Sequence, residues 1–121
     1  MKIFTNNTLE QLTSEENTLP FNPEILKFIK HFSNSILSDK SLKIYPDIMS
    51  LAFWFRNVTY KHIHRPRGIV LHIAPSNVNT IFIYSLFLSM LCGNKNIVKL
   101  PRKITTEVQI LVDKLNECCN E

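Results

Sequence analysis

Glycine is nearly absent. Gly68 and Gly93 are the only two in 121 residues, where average usage of about 7% would give roughly eight. A Walker phosphate loop or a dinucleotide fingerprint needs glycines clustered within a few positions of one another, so two glycines this far apart exclude both. Cysteine is scarce and odd in number: Cys92, and the adjacent pair Cys118 and Cys119. Neighbouring cysteines make a poor structural bridge, so a disulfide framework is not expected and a reducing, cytoplasmic setting is. Long apolar runs are also missing. The most apolar stretch, Ile81 to Leu91, is well short of the roughly 20 residues a membrane-spanning helix requires. Met1 to Leu12 holds one lysine and no apolar stretch of the kind a signal peptide carries.

What is present suits one ordinary folded unit. Apolar residues make up 45% of the chain and charged residues 20%, close to average usage, which excludes general disorder and collagen-like structure. The net charge of +4 hides an uneven distribution. Residues 1–24 hold Lys2 against four glutamates, and the segment from 104 onward holds Lys114 against four acids. Residues 25–103 carry twelve Lys and Arg against only Asp39 and Asp47. A basic middle between two acidic ends suits an anionic partner such as a phosphate, a nucleotide, nucleic acid or anionic lipid, and equally a solvated surface.

The order of elements follows from spacing and caps. Residues 1–21 are polar and read as a loose amino-terminal arm, followed by one folded unit over 22–121. Asn22-Pro23-Glu24 is a helix start, with Asn as cap, Pro in the first turn and Glu at the positive end. Ile25, Phe28, Ile29, Phe32 and Ile36 keep helical spacing to about Leu37. A turn at Ser38 to Ser41 leads to a second helix that starts near Pro46 and fades near Lys61, with Ile48, Leu51, Ala52, Phe55 and Val58 as its apolar face. Ile69 to Ala74 reads as a short buried strand ended by Pro75-Ser76-Asn77. Thr80 to Cys92 is a largely apolar helix stopped by Gly93-Asn94. Asn96 to Leu100 is a second strand, and Thr105 or Thr106 caps a last helix. The expected fold class is α/β: two helices, then strand, helix, strand, helix. Short connections make the two strands parallel with a right-handed crossover. A parallel pair needs cover on both faces, so the chain is expected to be part of something larger.

Ligands of open parallel sheets bind outside the carboxyl ends of the strands. Two groups fall there. Pro75-Ser76-Asn77 stands at the entrance to a helix whose free N–H groups attract negative charge, and Lys99 ends the second strand with Arg102 and Lys103 just beyond. Taken alone, Asn77 also suits a turn or cap, and Lys99 and Arg102 suit a solvated surface. His72 lies within the first strand and is expected to be a hydrogen-bonded core residue. His62 and His64 form a His-x-His pair, but the further ligands a metal needs are not evident. Trp54 suits either the core or a docking surface, and exposure together with Phe53 would favour a partner surface.

The run Arg67-Gly68-Ile69-Val70-Leu71-His72-Ile73-Ala74-Pro75-Ser76-Asn77, the apolar helix, Leu91-Cys92-Gly93-Asn94 and then Ile97-Val98-Lys99-Leu100-Pro101 resemble the first strand–helix–strand of the aldehyde dehydrogenase superfamily. The nearer likeness is to its acyl-CoA reductase branch, the LuxC-like bacterial bioluminescence type, which Tyr45-Pro46-Asp47 and Leu51 to Arg56 also resemble. The likeness covers roughly residues 40–117. It implies a partial Rossmann-like unit and a reaction in which a cysteine attacks a fatty acyl-CoA or acyl thioester and NADPH reduces the acyl-enzyme to an aldehyde. By the same resemblance, the Asn77 amide stabilises the oxyanion and Lys99 contacts the adenosine ribose of the cofactor. Arg102 or Lys103 would meet the 2′-phosphate, an assignment made on position and charge. Ser76 and Asn79 stand where the family commonly has Gly and Pro. The family's catalytic cysteine, its general-base glutamate and its glycine-containing second loop would all lie beyond residue 121, and none of the three cysteines occupies the nucleophile's place. The expectation is therefore the amino-terminal part of an NADPH-dependent acyl-CoA reductase, inactive alone and completed by the rest of the enzyme or a partner chain. Two alternatives stand beside it: a small non-catalytic binding module for a nucleotide or nucleic acid, and a structural domain whose sheet edge pairs with another chain.

Overall fold

The computed structural model describes residues 22–57, 68–76 and 78–119. Helix α1 (Pro23–Ser38) leads through a 3₁₀ turn (Lys40–Ile44) to α2 (Pro46–Phe55). Strand β1 (Ile69–Ile73), helix α3 (Ile81–Leu91), strand β2 (Lys95–Lys99) and helix α4 (Thr106–Cys119) follow. The described residues thus form an α/β arrangement around a two-stranded parallel sheet.

Local chemistry accounts for the boundaries. The Asn22 side chain accepts from the Glu24 N–H at 2.8 Å, as a capping asparagine should. Asp39 ends α1 and starts the 3₁₀ turn, accepting from the Ser41 N–H at 3.0 Å and the Ser41 hydroxyl at 2.6 Å. That turn extends further than the simple reversal expected at Ser38 to Ser41, because Asp39 caps it and Leu42 is buried beneath it. Helix α2 stops at Phe55 rather than fading near Lys61; Val58 lies outside the described residues. Gly68 and Gly93 both have positive φ, +111° and +90°, the conformation that glycine adopts without strain. At Gly68 the backbone angle alone makes the demand, since nothing lies within 4 Å of where a Cβ would stand.

The core sits between the helices and one face of the sheet. Ile29, Phe32, Ile36, Ile48, Leu51, Phe55, Ile83, Phe87 and Leu111 are fully buried. Helix α1 packs against α2, α3 and α4, and α3 lies against both strands. Phe87 stands at the junction, its ring edge-on to Phe32, Phe55 and Phe28.

One expectation fails here. The first strand is not buried on both sides: Ile69, Leu71 and Ile73 are 40%, 57% and 69% exposed. Residues alternate along a strand, so Val70 and His72 face α3 while the odd-numbered set faces away. The register pairs Ile69, Leu71 and Ile73 with Lys95, Ile97 and Lys99, which makes the outward face an apolar strip flanked by lysines. Phe53 and Trp54 are likewise exposed, at 58% and 57%, although the Trp54 ring keeps edge contacts with Phe55 and Tyr84. No described helix is long and apolar enough to cross a membrane.

Candidate functional site

The parallel register sets the carboxyl ends of both strands side by side. Ile73 lies opposite Lys99, and the ladder continues one step through the Ala74 N–H, which donates to the Lys99 carbonyl at 2.9 Å. Pro75 and Ser76 therefore leave the sheet next to the point where Lys99 ends β2. Lys99, Arg102 and Lys103 are all exposed, so three cations share this edge with the approach to α3. Asn77, the proposed oxyanion donor, lies outside the described residues.

A contact that sequence reasoning missed ties the two connections together. The Thr105 hydroxyl donates to the Asn79 side-chain oxygen at 2.8 Å, and Thr105 Oγ1 accepts from the Val108 N–H at 3.3 Å. Thr105, not Thr106, is thus the cap of α4, and its proton clamps the β1–α3 connection to the β2–α4 connection. Asn79 supplies the acceptor at this turn. Asn at a turn was a visible signal; its partner, 26 positions away, was not. The opposite edge is closed in a similar way, the Asn94 side chain accepting from the Gly68 N–H at 3.2 Å.

On the sheet face beneath α3, His72 is 6% exposed and joined at both ring nitrogens. Nδ1 lies 2.6 Å from the Ser85 hydroxyl and Nε2 lies 2.8 Å from the Asn96 side-chain oxygen. This meets the expectation of a hydrogen-bonded histidine. Neither Ser85 nor Asn96 had been singled out, because a serine in an apolar helix and an asparagine opening a strand carry no pattern of their own. A groove of about 340 Å³ opens along this side of β1, lined by residues that include Val70, His72, Ile81, Phe82 and Ser85.

The cysteines do not form a site. Cys92 caps the carboxyl end of α3, outside the helix where it was expected, and is half-buried; Cys118 is buried. Burial, followed by the neighbouring Cys118, pushes the Cys119 thiol up to about 11, so it is protonated at neutral pH and a weak nucleophile. Among the described residues no group of three or more His, Cys, Asp or Glu is placed to hold a metal ion; His62 and His64 lie outside them.

Comparisons with curated proteins and with solved structures give no match. A model of the acyl-CoA reductase (LuxC) family matches residues 23–116, from the first residue of α1 into the last turn of α4. The chain therefore belongs to the LuxC acyl-CoA reductase family, and with that membership comes an acyl-CoA reductase-related function.

Proposed function

We propose that this chain forms the amino-terminal, Rossmann-like part of an NADPH-dependent reductase that converts a fatty acyl-CoA or acyl thioester to an aldehyde. The observation that carries the reading is the shared edge: within a family of acyl-CoA reductases, the Ala74–Lys99 backbone bond brings the approach to α3 beside three exposed cations. The donor set suits the group. Lys99 would hold the adenosine ribose and Arg102 or Lys103 the 2′-phosphate, since fixed positive charge favours a phosphate dianion. When bound there, NADPH supplies hydride.

The remaining roles belong to this chain and its complement. Asn77 would aim its amide at the thioester oxygen and stabilise the charge that develops on attack, an effect typically worth about 3–4 kcal/mol of barrier. The attacking thiolate is not drawn from Cys92, Cys118 or Cys119, which are half-buried, buried and held protonated respectively. The remainder of the enzyme or a partner chain supplies it. The same complement covers the outward face of the sheet, since parallel sheets are covered on both sides and Leu71 and Ile73 here are more than half exposed.

The test is a thermal-shift titration with NADPH and NADH. NADPH should raise the midpoint more than NADH does, and Lys99→Ala and Arg102→Ala should each reduce the shift while leaving the unliganded midpoint in place. Equal response to the two cofactors, or an undiminished shift in Lys99→Ala, refutes the assignment. A salt-sensitive mobility shift with RNA in place of any cofactor response would turn the reading to the nucleic-acid module.

A further inference from the structure

We propose that Ser85 is a nucleophilic hydroxyl, activated by His72, that takes up an acyl group from an activated ester or thioester lying in the groove beside β1. The argument starts from the far end of the chain of contacts. The Asn96 amide nitrogen donates to the Asn94 carbonyl at 2.9 Å. A carbonyl oxygen only accepts, so the orientation of the Asn96 amide is set, and its oxygen is the atom 2.8 Å from His72 Nε2. An amide oxygen also only accepts, so Nε2 carries the ring proton of the neutral imidazole. Nδ1 is then left with a lone pair, and the group facing it at 2.6 Å is the Ser85 hydroxyl, which donates. A serine O–H pointed at a basic imidazole nitrogen, with the imidazole oriented by a third group, is the arrangement that activates serine nucleophiles.

The surroundings select the substrate. His72 is buried and held on a paired strand, with Asn96 two residues along on the same face of the neighbouring strand. Ser85 is exposed and lines, with Val70, Ile81 and Phe82, a groove along the edge of β1, to which Leu71 and Ile73 of the outward face add their margins. The groove, about 340 Å³ and half open to solvent, has a wall that is more apolar than polar, which suits a hydrocarbon chain lying along it. The choice of an acyl group rests on the reductase reading above, while the nucleophile needs no cofactor; the two readings can therefore fail separately.

The step balances without a reductant. Ser85 Oγ bonds to the acyl carbonyl carbon and the carbon–sulfur bond of the thioester, or the carbon–oxygen bond of an activated ester, breaks. The hydroxyl proton passes to His72 Nδ1 and from there to the leaving thiolate or phenolate. The products are an oxygen ester on Ser85 and a free thiol or phenol, and the acyl carbon keeps its oxidation state. Asn96 is a positioning residue, acting only through the imidazole.

The experiment incubates the full chain with p-nitrophenyl decanoate and reads p-nitrophenol release, intact mass and the modified peptide. The expected result is a burst of one phenol per chain and one decanoyl group on Ser85, stable to neutral hydroxylamine. Ser85→Ala, which deletes the hydroxyl that faces His72 Nδ1, should reduce labelling to background. His72→Gln should slow the burst by about 100-fold or more. Asn96→Leu should slow it, and Asn96→Asp, which keeps the acceptor, should restore it. Each variant is compared only where its thermal transition stays cooperative. No burst from the folded wild-type chain, labelling on a cysteine or lysine, or equal labelling of Ser85→Ala overturns the proposal, whatever the NADPH titration shows.

Discussion

Replacing Phe87 tests whether the helices and the sheet share one core. The ring is fully buried, and its centroid lies 5.0 Å from Phe32, 5.1 Å from Phe55 and 6.2 Å from Phe28, nearly perpendicular to each. Phe28 and Phe32 belong to α1, Phe55 to α2 and Phe87 to α3, so one side chain joins three helices. Truncating a buried phenylalanine to alanine costs about 3–5 kcal/mol, and the three edge-on pairs, each worth about 0.5–1.5 kcal/mol beyond area, put Phe87→Ala at the top of that range. Phe87→Leu keeps most of the apolar volume and loses only the ring edges, so about 2 kcal/mol is expected after the neighbours relax. Against a typical total of about 5–15 kcal/mol, the alanine variant should be close to unfolding. Urea titration followed by far-ultraviolet circular dichroism and by Trp54 fluorescence measures both. Phe53→Ala is the control, an exposed ring with the Arg56 guanidinium 3.9 Å over it; about 0.5–1 kcal/mol is expected. A loss below about 1.5 kcal/mol for Phe87→Ala, less than half of what cavity formation costs, would refute the shared core. So would two separated transitions in the wild-type chain, because the helical pair and the sheet would then unfold as independent units.

Three further outcomes follow from individual side chains. Ser33 is fully buried and its hydroxyl has no hydrogen-bond partner among the described residues; an unpaired buried hydroxyl costs about 1–3 kcal/mol, so Ser33→Ala should raise the urea midpoint, and a clear loss of stability would show that the hydroxyl is paired. The Ser41 hydroxyl, followed by Lys114 at 3.2 Å, holds the Asp39 carboxyl below its ordinary 3.8. Its contribution is therefore full above that value and disappears as pH falls through the lowered one; a stability difference between wild type and Asp39→Asn that is unchanged at low pH would contradict this. Cys119, with its thiol pushed up to about 11, should react with iodoacetamide at pH 8 far more slowly than free cysteine, and faster alkylation at this residue than in a short peptide would count against its burial.

Much of the architecture was legible because short-range rules set it. Asn22-Pro23-Glu24 could only open a helix, the spacing of Ile25, Phe28, Ile29, Phe32 and Ile36 could only put these side chains on one face, and Gly93 could stop α3 because it alone tolerates the positive φ found there. The lengths of the β1–α3 and α3–β2 connections required parallel strands, and that placed Lys99 on the same edge as the loop after β1. Family likeness was legible for the same reason, since it rests on ordered short motifs.

Local pattern says nothing about partners distant in sequence or about which face of a strand finds cover. Ile69, Leu71 and Ile73 read as buried because they are β-branched or aliphatic, yet α3 covers only the Val70 and His72 side. Apolar character expresses a preference for burial, while burial itself depends on a second surface arriving. Likewise Thr105 with Asn79, and Ser85 with His72 and Asn96, are brought together only by the crossover of α3 between the strands. By itself the sequence determined the helices, the parallel pair and the basic edge, through caps, periodicity and connection length. Only the tertiary structure decided which hydroxyl meets which imidazole and which apolar face is left outward, because both depend on contacts between segments 13 to 26 residues apart.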